Sequence, residues 1–214
     1  VRAWRADNPG QKVPLQAFMS LVTYIMWVLC SVGVAVEVLV LILPWTLGIT
    51  EKIDPELSRT FFWLSGHAIV YFWLLPVYIS WYTMLPKQAG GKLHSDPLAR
   101  LVFLLFLLLS IPVGLHHQYT DPGVPVIFKY IQAILTFAVF FPSVITAFSV
   151  IAALENAGRN RGGKGILGWV FKLPWGDPSV AAQLVGGLAF LSGGISGLVN
   201  ASYNVNQIVH NTSF

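Results

Sequence analysis

Three of the chain's five histidines stand where they could share one metal ion. His67 lies in an apolar run together with Trp63, Tyr71, Trp73, Pro76, Tyr78 and Tyr82. On a helix advancing about 100° per residue, His67, Tyr71, Tyr78 and Tyr82 fall within about 60° of one another. They form one polar stripe, and at ~1.5 Å per residue Tyr71 to Tyr82 covers ~16 Å of depth. Ionisable groups inside an apolar span are costly and face a cavity, a partner or a pathway. A plainer reading is available for some of them. Tyrosines anchor membrane interfaces, which suits Tyr82 and Tyr78 but not Tyr71, which should sit deep. A lone buried histidine is more often a satisfied core residue than a ligand, and the alignment of His67 with Tyr71 at i+4 brings the two readings level.

His116 and His117 shift that balance. They are adjacent, in the segment Ile-Pro-Val-Gly-Leu-His-His-Gln-Tyr-Thr-Asp-Pro-Gly that begins at Ile111. A regular helix would point neighbouring imidazoles about 100° apart. Pro112 and Gly114 loosen the backbone before the pair, and Asp121-Pro122-Gly123 turns it after. A non-helical pair can converge on one metal. Imidazole suits copper, zinc, iron or nickel. Three histidines without thiolate or carboxylate fit copper at least as well as zinc. Ser143 and Thr146, three residues apart, lie on one side of a helix. They either glue helices together by hydrogen bonds or belong to a polar path. Glu37, inside an apolar run, is either functional or a neutral structural carboxyl.

The elements that must position these groups are membrane helices. Of 214 residues, 55% are hydrophobic and 10% are charged, against about 25% charged in a soluble domain. Mean hydropathy is +0.67. Five apolar segments run from about Val13 to Leu47, Thr60 to Leu85, Leu98 to Leu115, Val126 to Leu154 and Val180 to Val199. Each is read as a span of a ~30 Å hydrocarbon core, which takes ~20 helical residues. Helices satisfy every backbone group internally, and the short alternating segments of a β-barrel are absent. The single cysteine, Cys30, excludes an internal disulfide and reads as a packing residue. The fold class expected is therefore all-α, a polytopic transmembrane helical bundle with about five spans, forming a single domain over residues 1–214.

The pI near 9.3 does not indicate nucleic-acid binding, because the basic residues sit in short loops between apolar runs. Arg2, Arg5, Lys12, Lys87, Lys92, Arg100, Arg159, Arg161, Lys164 and Lys172 fall on one side, and only Lys52, Arg59 and Lys129 on the other. The positive-inside rule makes the first side, with the N-terminus, cytoplasmic. His116, His117 and His210 then lie toward the outside. The N-terminal stretch has no signal-peptide pattern.

The stretch Gly66-His67-Ala68-Ile69-Val70-Tyr71-Phe72-Trp73-Leu74-Leu75-Pro76 resembles the copper-site helix of haem–copper oxygen reductase subunit I. His116-His117-Gln118, Leu85-Pro86-Lys87-Gln88-Ala89-Gly90-Gly91-Lys92 and His210-Asn211-Thr212 are similar to further motifs of that family. The resemblance covers essentially the whole chain and is strongest to the B family of bacterial and archaeal cytochrome c oxidases. It implies that His67, His116 and His117 bind the copper called CuB. It implies a Tyr71 cross-linked to His67 and supplying a proton and an electron for O–O cleavage. Tyr71, Tyr78, Tyr82, Ser143 and Thr146 would form the proton-uptake route. Trp63 would pack beside the copper, with Asp121 and His210 near the haem propionates.

The resemblance further implies high-spin and low-spin haems, a partner subunit II, cytochrome c as donor, and O2 and protons as substrates. The setting would be a prokaryotic cytoplasmic membrane. The family has about twelve spans, and its haem-ligating histidines have no counterpart here. The expectation is a piece from the middle of a longer chain, holding the copper half of the centre and inactive alone. Three departures stand out: Ala68 replaces the usual proline, Ile69 replaces the A-family glutamate, and Asn206 replaces an aspartate near the propionates. The competing readings are a transport or channel module without redox chemistry, and a nitric oxide reductase relative. The latter lacks the cross-linking tyrosine, so Tyr71 argues against it.

Overall fold

The architecture follows from where the apolar runs are interrupted. In a computed structural model, which describes residues 2–210, the described residues form helices and turns with no strand. The helices are α1 (Arg2–Asp7), α2 (Leu15–Val36), α3 (Leu43–Thr46), α4 (Pro55–Thr83), α5 (Leu85–Gln88), α6 (Asp96–Ser110), α7 (Val126–Asn160), α8 (Pro178–Ala201) and α9 (Tyr203–Val209). Asn211 and Thr212 of the third motif lie outside the described residues.

Among the described residues, four stretches are long and apolar enough to cross a membrane: Leu15–Thr46, Pro55–Gln88, Val126–Asn160 and Pro178–Ala201. The third expected segment differs. Its helix, α6, has 15 residues, about 22 Å of rise against a ~30 Å core. Pro112 has no N–H to continue the helix, and the chain proceeds as a 3-10 turn over Gly114–Gln118. The first segment is also not uniform. Between α2 and α3 it winds as a π-helix over Glu37–Ile42, a form that concentrates at functional positions.

The chain divides into two compact units. The first holds the residues up to Thr23, Leu74–Leu104 and Pro142–Leu191. Its buried core includes Met19, Leu75, Tyr78, Tyr82, Val102 and Phe103. Polar side chains within it join its helices: Ser80 Oγ donates to Gln183 Oε1 (2.8 Å), and Gln183 Nε2 donates to Gln88 Oε1 (2.8 Å). Arg161 donates to Ala89 O (3.0 Å).

The second unit holds Tyr24–Trp73, Leu105–Phe141 and the residues from Ser192 on. Here α2 meets α4 at Gly33. The Val34 N–H reaches Ser65 Oγ at 2.7 Å. A Cβ on Gly33 would come within 2.6 Å of Phe61 O and 2.8 Å of Ser65 Oγ. Small residues that let backbones approach are the usual device of helix pairing in lipid. The outward faces are the reverse of a soluble surface: Val28, Leu39, Leu108 and Ile134 are all more than 60% exposed, as side chains bathed in acyl chains are.

The Gly33 contact yields a prediction. Gly33→Leu should lower the thermal unfolding midpoint in detergent, by the ~1–3 kcal/mol typical of overpacking. Val32→Leu, at a position 57% exposed, should leave the midpoint unchanged. Equal behaviour of the two variants would show that α2 and α4 do not meet there.

Candidate metal centre

The centre belongs to the second unit and begins with α4. Residues four apart share a helix face, so Trp63, His67 and Tyr71 form one row. The other histidines arrive on the 3-10 turn after α6. Gly114 fixes that approach: a Cβ on it would overlap the main-chain carbonyl of Trp63. Any side chain there would push the turn away from α4. With glycine, His116 and His117 come down beside the Trp63–His67 row.

The three imidazoles converge. One nitrogen from each of His67, His116 and His117 lies within 4.8 Å of the others. His67 Nδ1 is 3.2 Å from His117 Nε2. Two imidazole nitrogens bound at ~2.0–2.1 Å to one ion stand no more than about 4.2 Å apart, so this pair already fits. The ring centroids of His67 and His116 are 4.3 Å apart, with planes at 80°. The Trp63 indole stacks flat on His117, at 3.9 Å and 11°, which fixes that ring's plane.

The tautomer of His116 follows from its neighbour. Thr136 Oγ1 donates its single proton to Gln132 O at 2.6 Å. It can then only accept from His116 Nδ1, 2.8 Å away. His116 Nδ1 carries the hydrogen and Nε2 keeps its lone pair for a metal. Burial pushes the His116 imidazolium down to about 2, with His67 and His117 adding to it. Burial likewise lowers His117 to about 4, with His210 adding. Both rings are neutral at physiological pH. His67 Nε2 is buried without a partner, beside the Tyr71 ring at 4.7 Å and 64°.

The remaining expected residues are placed as follows. Asp121 pairs with Arg59 Nε at 2.9 Å. His210 is close enough to His117 to bear on its charge. Glu37, 6% exposed, accepts from Ser58 Oγ at 2.7 Å, so it is a hydrogen-bonded buried carboxyl. Asn206 donates from Nδ2 to Asn200 O at 3.1 Å. In the first unit, Tyr78 OH donates to Ser143 Oγ (3.2 Å) and Tyr82 OH to Thr146 Oγ1 (3.0 Å). Each tyrosine of the lower stripe thus has its own hydroxyl partner on α7.

Sequence reasoning did not single out the groups that hold the turn. Besides Thr136, Gln132 Nε2 donates to Pro112 O at 2.9 Å, and Gln118 exchanges hydrogen bonds with Thr60 at 3.2 and 3.3 Å. A signal existed: Lys129, Gln132 and Thr136 recur at i, i+3 and i+7 in an otherwise apolar helix start. Removing a partner that orients a ligand typically costs 10–100-fold in metal affinity. Thr136→Val should therefore lower copper affinity by roughly that factor, read by competitive titration against a chelator. Unchanged affinity would show that His116 is not a ligand through Nε2.

Comparison with known proteins identifies the family of the chain. The family model for cytochrome c and quinol oxidase polypeptide I matches residues 1–214. The chain is 54% identical over 213 residues to cytochrome c oxidase subunit 1 of Thermus thermophilus, covering 100% of this chain and 38% of that protein. It is 24% identical over 153 residues to quinol oxidase subunit 1 of Sulfolobus acidocaldarius, covering 72% of this chain and 27% of that protein. A chain in a cryo-EM structure of a heme-copper terminal oxidase dimer superposes with a TM-score of 0.93 at 47% identity, over 98% of this chain and 38% of that one. The chain thus spans well under half the length of these relatives. Matched from end to end, it belongs to the cytochrome c and quinol oxidase polypeptide I family.

Proposed function

We propose that this chain supplies the copper-binding half of the dioxygen-reducing centre of a respiratory terminal oxidase. The observation that carries the reading is the convergence of three histidine nitrogens within 4.8 Å of one another, beside Tyr71. All three donors are imidazoles, a set that suits copper. Bound copper would supply single-electron chemistry next to a high-spin haem. The haem iron would be held by residues outside this chain.

The chain's own residues have distinct tasks. Trp63 and Thr136 hold two of the three ligand rings in orientation. Tyr71 gives up a proton and an electron when O2 is cleaved. A Tyr71–His67 cross-link would join a ring carbon to the unpartnered Nε2. Two electrons and two protons would pass to the oxygen chemistry of the site. Protons enter from the cytoplasmic side past Tyr82 with Thr146 and Tyr78 with Ser143, and reach Tyr71 on the same helix. Asp121 and His210 serve the propionate side. The electrons come from cytochrome c through subunit II. The enzyme sits in a prokaryotic cytoplasmic membrane, with the basic loops and the N-terminus of this segment inside, and couples turnover to proton translocation.

In the complete subunit, Tyr71→Phe should cut oxygen consumption by at least ~100-fold, the scale of losing a positioned acid, while copper stays bound. Near-normal respiration would remove Tyr71 from the chemistry. Transport without copper at the three histidines would favour the channel reading instead.

A further inference from the structure

The segment that carries His116 and His117 is a 3-10 turn, whose hydrogen-bond geometry is poorer than that of an α-helix. At its ends, bonds run from His116 N to Val113 O (3.2 Å), Tyr119 N to His116 O (3.4 Å) and Asp121 N to Gln118 O (3.1 Å). Two of these lie at or beyond the long end of the usual N–H···O range, 2.7–3.2 Å. Side chains must hold it, and one of them is out of place by ordinary rules. Lys129 is only 7% exposed. Among the described residues it forms no ion pair, and the Asp121 carboxylate is already taken by Arg59. It also stands in the first turns of α7, where the helix dipole disfavours a cation. A buried, unpaired charge is costly unless hydrogen bonds compensate it.

The compensation is specific. Lys129 Nζ donates to Tyr119 O at 2.6 Å and to Asp121 O at 2.8 Å. It also lies over the Tyr203 ring, 5.9 Å from the centroid. Tyr119 is the residue that ends the 3-10 turn, and Asp121 closes the bend after it. The opposite side of the same turn is held to α4 by Gln118 with Thr60 and by Asp121 with Arg59.

We propose that Lys129 is a positioning residue for the His116–His117 pair: its ammonium clamps the Tyr119 and Asp121 carbonyls and so fixes the exit of the turn that aims both imidazoles at His67. The clamp rests on the reading of these histidines as copper ligands, but it is a property of the metal-free chain as well.

Hydrogen–deuterium exchange on the metal-free chain in detergent reads the clamp without copper. Lys129→Met keeps the aliphatic length and removes the donor. The amides of His116, Tyr119 and Asp121 should then exchange about 10–100-fold faster, the scale of losing hydrogen bonds to a charged donor. Amides of α2 should be unchanged. Lys129→Arg, which keeps a cationic donor, should retain most of the protection. Copper(II) titration should show roughly 10–100-fold weaker binding in the methionine variant, with an altered copper hyperfine pattern in electron paramagnetic resonance. Unchanged exchange at the three amides would overturn the proposal. So would acceleration spread equally through α2, or equal damage in the arginine variant. A wild-type chain that binds no copper would overturn the copper reading and leave the exchange data to decide the clamp.

Discussion

The metal centre depends on one close approach. Gly114 lies so near the main chain of α4 that a Cβ would overlap the Trp63 carbonyl. The approach of the histidine pair to α4 rests on that contact. The pair is carried on a 3-10 turn, whose rings would otherwise be free to face lipid or solvent. Seating the turn against α4 brings His117 under the Trp63 indole and His116 against His67. The distance of 3.2 Å from His67 Nδ1 to His117 Nε2 is a consequence of backbone packing.

The apolar surroundings make the polar residues informative. In hydrocarbon an unpaired polar group costs several kcal/mol, and most of those described have a partner. Glu37 is answered by Ser58, Gln118 by Thr60, Tyr78 by Ser143 and Tyr82 by Thr146. His67 Nε2 is buried and without a partner, as are Ser110 Oγ, Gln132 Oε1, Asn156 Oδ1 and Asn206 Oδ1.

Much of this was legible in the sequence, for physical reasons. Apolar length reports lipid spans directly, and the i, i+4 spacing of His67 and Tyr71 survives folding because α4 is regular through both. The third span was overestimated, since hydropathy cannot see that Pro112 ends the helix at Ser110. The winding change at Glu37 was also invisible, because a π-helix differs from an α-helix in hydrogen-bond register and not in composition. Thr136 and Gln132 passed unremarked, as hydroxyl and amide side chains in membrane helices so often serve only as glue. Their importance comes from what the turn after α6 places opposite them, which local sequence does not encode.

X-ray absorption at the copper edge, on copper-loaded protein in detergent, tests the central claim most directly. The account predicts one copper per chain with three imidazole nitrogens in its first shell at ~2.0 Å, the usual imidazole–metal distance, and loss of that signature when Gly114 is replaced by a bulkier residue. A first shell of fewer than three imidazoles, or a copper site indifferent to Gly114, would contradict it.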